Sequence, residues 1–179
     1  MLYQFKSQPS DFIVEELLSV QPSGKGDVLY VFFQKENLTT MEVLEHLQRS
    51  FPLSREDFGI AGLKDKVGIT RQWITVFRSR LESVGGESAF LFVLSERVKV
   101  LEVTRGEKPL RIGGNAGNRF AIRLCASASS LDGGVRAEKK NLILQNVEQV
   151  KAKGFPNCFG VQRFGKGMKN FWEAKEVLC

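Results

Sequence analysis

Asp11-Phe12-Ile13-Val14-Glu15-Glu16-Leu17-Leu18-Ser19-Val20 and Asp27-Val28-Leu29-Tyr30-Val31-Phe32-Phe33-Gln34 are two runs rich in β-branched, aromatic and aliphatic residues. Pro22-Ser23-Gly24-Lys25-Gly26 separates them, so they read as two strands joined by a turn. Alternation in the first run puts Phe12 and Val14 on one face and Asp11, Ile13 and Glu15 on the other. Downstream, Thr39-Thr40-Met41-Glu42 has the S/T-x-x-E form in which Thr39 caps a helix and Glu42 reaches back. Met41, Val43, Leu44 and Leu47 continue at helical spacing to Ser50, ahead of Pro52. Further strands are expected at Gln72–Phe77, Val98–Thr104 and Arg119–Cys125, with Ala89–Leu94 ambiguous between helix and strand. Helices are expected over Val135–Lys153, stopped by Gly154, and over Lys169–Leu178. Strands outnumber helices and rarely alternate with them. That pattern predicts an α+β domain with a largely antiparallel, mixed sheet flanked by helices.

The chain has 179 residues, a length that suits one globular domain or a large piece of a larger protein. Hydrophobic residues at 42% and charged residues at 26% exclude wholesale disorder. No apolar run approaches the roughly 18 to 20 residues of a membrane helix, and Met1 to Phe5 carries no secretory pattern. Cys125, Cys158 and Cys179 are odd in number and far apart, which suggests neither a zinc site nor a disulfide framework. A reducing compartment, the cytoplasm, is the expectation. The single histidine, His46, falls on the polar side of its helix and reads as a solvated residue. If the protein is an enzyme, its chemistry rests on carboxylates, lysines or backbone groups, with no metal.

Charge is unevenly placed. Residues 1–60 hold five Lys and Arg against nine Asp and Glu, a balance of −4, so the formal net charge of +6 leaves +10 for residues 61–179. Such asymmetry fits a polyanion-binding face, and equally a solvated basic surface.

Three glycine-bearing segments could carry chemistry. In Gly59-Ile60-Ala61-Gly62-Leu63-Lys64-Asp65-Lys66-Val67-Gly68-Ile69-Thr70-Arg71-Gln72-Trp73, one aspartate lies between two lysines. The cations favour an ionised carboxylate suited to a nucleophile or base, and could also hold phosphates; an ordinary surface turn has the same composition. In Gly113-Gly114-Asn115-Ala116-Gly117-Asn118-Arg119-Phe120, Asn118 suits a base edge, Arg119 a phosphate and Phe120 a base face, although a tight hairpin would look alike. In Phe155-Pro156-Asn157-Cys158-Phe159-Gly160-Val161-Gln162-Arg163-Phe164-Gly165-Lys166-Gly167, Gly160 to Lys166 imitates a phosphate loop. Gly167 stands where that loop needs Ser or Thr, and a helix rather than a strand precedes it. Two aromatics, Arg163 and nearby lysines fit an RNA-facing loop, while Phe159 and Phe164 also suit a core. A paired-carboxylate glycosidase using Glu15 or Glu16 with Asp65 is a further possibility that the spacing does not demand.

Taken in order, these segments resemble the tRNA pseudouridine synthase D (TruD) family. Lys6 with Pro9-Ser10-Asp11-Phe12-Ile13-Val14-Glu15-Glu16 is similar to that family's N-terminal Lys and P-x-D-F-x-V-E-E stretch. Ala61-Gly62-Leu63-Lys64-Asp65-Lys66 with Thr70-x-Gln72-Trp73 is similar to A-G-x-K-D-K/R…T-x-Q-W. Gly117-Asn118-Arg119-Phe120 matches G-N-x-F, and Pro156 to Gly165 matches P-N-x-F-G-x-Q-R-F-G.

The resemblance implies isomerisation of uridine to pseudouridine in tRNA, at position 13 in bacterial members, without a cofactor. It implies that Asp65 is the catalytic aspartate, with Lys6 beside it, Asn118 holding the site loop and target base, and Phe120 stacking on the uracil. Lys64, Lys66, Arg119, Phe159, Gln162, Arg163 and Lys166 are the implied RNA contacts, and Glu15, Glu16 and Gln72 support the site. Many members have His-Ala where this chain has Val67-Gly68. Typical members also continue past Q-R-F-G into an inserted domain before finishing the catalytic one. The resemblance therefore implies that residues 1–179 are a partial pseudouridine-synthase-like catalytic domain, without the inserted domain and C-terminal part. The rest of the same enzyme is then an expected partner beside tRNA. A truncated, non-catalytic RNA-binding fragment is the alternative.

Overall fold

The computed structural model describes residues 3–4, 6–126 and 133–154. The expected helix at Lys169–Leu178 and the Phe155–Gly167 segment, with Phe159, Gln162, Arg163 and Lys166, lie outside the described residues. The chain divides into two compact units, Met1–Ser127 and Ala128–Cys179.

The first unit is an α+β domain built on a mixed, largely antiparallel sheet. Its strands are β1 (Tyr3–Gln4), β2 (Phe12–Leu18), β3 (Val28–Glu36), β4 (Phe58–Gly59), β5 (Ile69–Phe77), β6 (Lys99–Gly106), β7 (Asn115–Ile122) and β8 (Cys125–Ala126). Its helices are α1 (Thr40–Ser50), α2 (Arg78–Glu82) and α3 (Gly86–Ser95). The main sheet runs β6-β3-β5-β2-β7, with β4 added beside β5, and a separate pair joins β1 to β8. Within the main sheet only β2 and β5 run parallel.

β2 and β3 are neighbours in sequence but not in space, because β5 enters between them. The apolar run Val28 to Phe33 explains why β3 takes an inner position. Val28, Leu29 and Val31 are fully buried, so both faces of the strand are covered. On one face Leu29, Val31 and Phe33 join Ile74 and Val76 of β5 and pack against Val43, Leu44 and Leu47 of α1 and Phe90 and Leu94 of α3. Each such side chain contributes about 1.5–3 kcal/mol on burial. On the other face Tyr30, Val28, Leu18 and Trp73 form a smaller cluster, where Phe32 stacks on Trp73 at 4.9 Å.

α1 begins as its sequence predicts. Thr39 Oγ1 accepts the Glu42 N–H at 3.0 Å, and Glu42 Oε2 accepts the Thr39 N–H at 2.6 Å. Such a cap is worth about 1 kcal/mol. The ambiguous Ala89–Leu94 stretch is helical, after Gly85 and Gly86 turn the chain at φ of 99° and 76°. α3 then covers the side of α1 that bears His46. The imidazole is half-buried, with Nε2 3.1 Å from the Val93 carbonyl and 3.2 Å from Glu96 Oε2. It joins two helices rather than facing solvent, which corrects the reading from helical periodicity alone. β7 also starts four residues earlier than expected. Its pairing with β2 runs from Leu18↔Asn115 to Phe12↔Ile122, so Asn118 joins the strand in which Arg119 was expected.

The second unit contains α4 (Gly133–Lys153), ended by Gly154 at φ 71°, whose N–H bonds the Val150 carbonyl. Leu142, Ile143, Val147 and Val150 are exposed.

Candidate active site

The first-unit helices cover the β3 and β5 part of one sheet face. On β2 and β7 the same face carries Phe12, Val14 and Glu16 beside Phe120 and Asn118, because Val14 pairs with Phe120 and Glu16 with Asn118. Phe120 is 56% exposed there, and its ring centroid lies 6.1 Å from that of Phe12.

The loop between β4 and β5 reaches this area, and its Lys64-Asp65-Lys66 tripeptide is held at every residue. The Lys64 N–H donates to Thr40 Oγ1 at 3.0 Å, and Lys64 Nζ donates to Glu16 Oε1 at 2.6 Å. The Asp65 carbonyl accepts Lys35 Nζ at 2.9 Å. Lys66 Nζ donates to Glu42 Oε1 at 2.6 Å. Both lysines that flank the aspartate are thus engaged by carboxylates of β2 and α1. What the tripeptide presents outward is the Asp65 carboxylate, 64% exposed, with Lys6 Nζ 3.7 Å from Oδ2.

Gly68 lets the loop return over β2. It sits at φ 127°, and a Cβ there would stand 2.6 Å from the Phe12 carbonyl oxygen, so glycine alone fits without movement.

Lys6 is itself in an unusual backbone state, φ 59°, which costs a non-glycine residue about 1–2 kcal/mol. The segment behind it is stapled by Asp11, whose buried carboxylate accepts the Gln8 N–H at 3.0 Å and faces Arg123 at 3.8 Å. From there Lys6 Nζ lies 3.8 Å from the Phe12 ring centroid, a cation–π contact. Asp65, Lys6, Phe12 and Phe120 therefore follow one another across the open part of the face.

Beneath the loop lies a layer of buried polar groups: Glu16, Lys35, Thr40, Thr70 and Gln72. The Thr40 hydroxyl donates to Gln72 Oε1 at 2.8 Å while accepting from Lys64, so Gln72 supports the loop through Thr40. Burial lowers the Lys35 ammonium to about 8, against the opposing pull of the Asp65 carboxylate. The bond from Lys66 and the cap bonds from Thr39 lower the Glu42 carboxyl to about 2.

Not all the expected site residues share this face. Glu15 and Arg119 alternate to the opposite one. There they form a cross-strand row in which Glu15 accepts from Arg119 and Arg71, both at 3.0 Å, and Arg71 donates to Gln34 at 3.0 Å. Lys64 points inward, its side chain only 6% exposed. Lys35 and Thr40 lie outside the sequence motifs, and Asp11 enters them only as part of the P-x-D-F-x-V-E-E stretch. A signal for Lys35 existed, since period-two alternation from Leu29, Val31 and Phe33 places it on the buried face.

No helix among the described residues is long and apolar enough to cross a membrane. Among the described residues no cluster of three or more His, Cys, Asp or Glu could hold a metal ion.

The model of the family described as tRNA pseudouridine synthase D (TruD) matches residues 3–173. The chain belongs to that family. It is 36% identical over 173 residues to a tRNA pseudouridine synthase D of Helicobacter hepaticus, covering 97% of this chain and 42% of that relative. It is 36% identical over 174 residues to one of Legionella pneumophila, covering 97% of this chain and 47% of the relative. A solved structure from Methanosarcina mazei that carries the same family name superposes with a TM-score of 0.69 at 28% identity, over 90% of this chain and 35% of that one. The chain therefore spans less than half the length of these relatives.

Proposed function

We propose that the chain carries the catalytic aspartate of a tRNA pseudouridine synthase, which isomerises uridine to pseudouridine in tRNA, at position 13 as in bacterial members of the family. The observation that carries this reading is the Lys64-Asp65-Lys66 tripeptide, in which both lysines are engaged from behind while the Asp65 carboxylate stands exposed beside Lys6. The reaction breaks the ribose C1′–N1 bond, turns the uracil and joins C1′ to C5; the C5 proton leaves and N1 gains one, with no change of redox state. Asp65 serves as the carboxylate that attacks C1′ or C6, or removes the C2′ proton. The target uridine must leave the stack at a cost of a few kcal/mol. A face of Phe120 exposed beside Phe12 returns about 1–3 kcal/mol by stacking. Asn118, next to Phe120 on the same face, holds the base edge. The exposed basic residues beyond 60 engage backbone phosphates, which makes affinity fall with salt.

The test is to quantify pseudouridine in tRNA lacking the modification. The tRNA is incubated with this chain, alone and with the C-terminal portion of a relative supplied separately, and in parallel with Asp65→Asn. Product from the native sequence and none from Asp65→Asn, at unchanged tRNA affinity, supports the reading. Equal product from Asp65→Asn overturns the assignment. tRNA binding without product in every mixture favours a non-catalytic RNA-binding role.

A further inference from the structure

Lys35 is 1% exposed near the end of β3, on the strand face that carries Leu29, Val31 and Phe33. Among the described residues its ammonium has no carboxylate within ion-pair distance. It donates instead to two main-chain carbonyls, Leu38 at 2.5 Å and Asp65 at 2.9 Å. An ammonium buried without a counter-ion is unfavourable, and an apolar side chain would fill the same strand position more favourably. What the ammonium supplies is a charge-assisted bond to the backbone of the residue whose side chain faces the open site. The neighbours of Asp65 are fixed from other elements, Lys64 by Thr40 and Glu16, Lys66 by Glu42. Among the described residues, Lys35 makes the only hydrogen bond to the Asp65 main chain.

We infer that Lys35 is a positioning residue: it holds the Asp65 carbonyl from behind, so that the carboxylate of the same residue is directed toward Lys6 and the exposed face of Phe120. The inference rests on the reading of Asp65 as the catalytic aspartate. The charged groups that act on the ammonium are Asp65 and Lys64 from the loop and Glu42 from α1. Burial and Lys64 lower its pKa while Asp65 and Glu42 raise it, leaving it largely charged at neutral pH.

Native-state hydrogen exchange on this chain tests the inference without turnover. In Lys35→Met the Lys64 amide, bonded to Thr40, loses about 10-fold or more in protection beyond any change at Ile74 and Val76, the effect of losing one charge-assisted bond. Lys35→Arg, which keeps the charge and donors, restores most of it. Equal loss at the loop and at β5 means a merely structural lysine and overturns the inference. If Lys35→Met does not fold, the native sequence decides. Its lysine-ammonium NMR spectrum should show a slowly exchanging Lys35 signal with a hydrogen-bond coupling to the Asp65 carbonyl carbon, and absence of that coupling overturns the inference. In the pseudouridine assay Lys35→Met lowers kcat about 10-fold and leaves KM for tRNA within about twofold; a matching change in KM counts against positioning. Failure of the native chain to yield product would overturn the reading of Asp65, whereas the exchange and coupling measurements still judge the Lys35 contact.

Discussion

Lys64 Nζ lies 2.6 Å from Glu16 Oε1, while the other oxygen of the same carboxylate accepts the Trp73 N–H at 3.0 Å. β2 pairs with β5 only from Ile13↔Ile69 to Glu15↔Arg71. Where β2 then diverges, the Glu16 side chain takes the place of a strand carbonyl and satisfies β5. One carboxylate thereby completes the sheet and tethers the loop that presents Asp65. The side chains of Glu16 and Lys64 are 0% and 6% exposed, so neither charge has water as a substitute partner.

Glu16→Ala leaves a buried ammonium and an orphaned N–H. It should cost about 3–5 kcal/mol in urea unfolding. Glu16→Gln keeps an acceptor for Trp73 and should cost less. Lys64→Met added to Glu16→Met should recover part of the loss, because paired removal takes both charges out of the interior.

Gly68→Ala places a methyl group against the Phe12 carbonyl in a left-handed backbone conformation. The expected destabilisation is about 1–3 kcal/mol. NMR shifts should change most at Phe12 and around Asp65, and a substitution that left both the melting temperature and those shifts unchanged would contradict the close crossing.

Phe120→Ala should separate binding from stability. The ring is 56% exposed, so the free energy of unfolding should move by no more than about 0.5 kcal/mol. Pseudouridine formation should fall by the loss of a stacking platform worth about 1–3 kcal/mol, and Phe120→Tyr should retain most of it. Loss of stability without loss of turnover would assign the ring to the core.

The pH dependence of stability should show two windows of opposite origin. Glu42 is lowered from 4.5 to about 2 in the folded chain, so its contribution is complete above about 4.5 and disappears as pH falls toward 2. Lys35 is lowered from 10.5 to about 8, so the folded chain sheds this proton first and gains stability as pH rises above 8. Glu42→Gln should flatten the acid limb and Lys35→Met the rise between 8 and 10, as read by denaturant melts across pH.

The local signals were strong where one physical cause acts alone. Thr39 and Glu42 announced the start of α1 because a capping box is complete within four residues. Gly154 announced the end of α4 in the same way. Long-range partners were not written locally. Alternation puts Glu15 and Glu16 on opposite faces, but nothing local says that one meets Arg71 and Arg119 while the other turns under the Asp65 loop. The extent of β7 was set by its pairing with β2, which drew Asn118 into a strand. The motif resemblance brought out Asp65, Lys6 and Phe120 as a group. The supporting layer of Lys35 and Thr40 became visible only once β3, α1 and β5 were in register, although alternation along β3 already pointed Lys35 inward.

The insertion of β5 between β2 and β3 has a kinetic consequence. A newly made chain reaches β2 and β3 well before β5, and a direct hairpin between the two would occupy the edges that β5 needs. Folding must keep those edges apart until residue 69 onward is available, and β7 must then close on β2 across a separation of 104 residues, as between Glu15 and Arg119. Topology of this kind slows folding, since chain entropy is lost before the distant contacts repay it. The aromatic face of Phe12 and Phe120 is thus completed by the strand pairing of greatest sequence separation in the main sheet, whereas the aspartate loop needs only β2, β3 and α1.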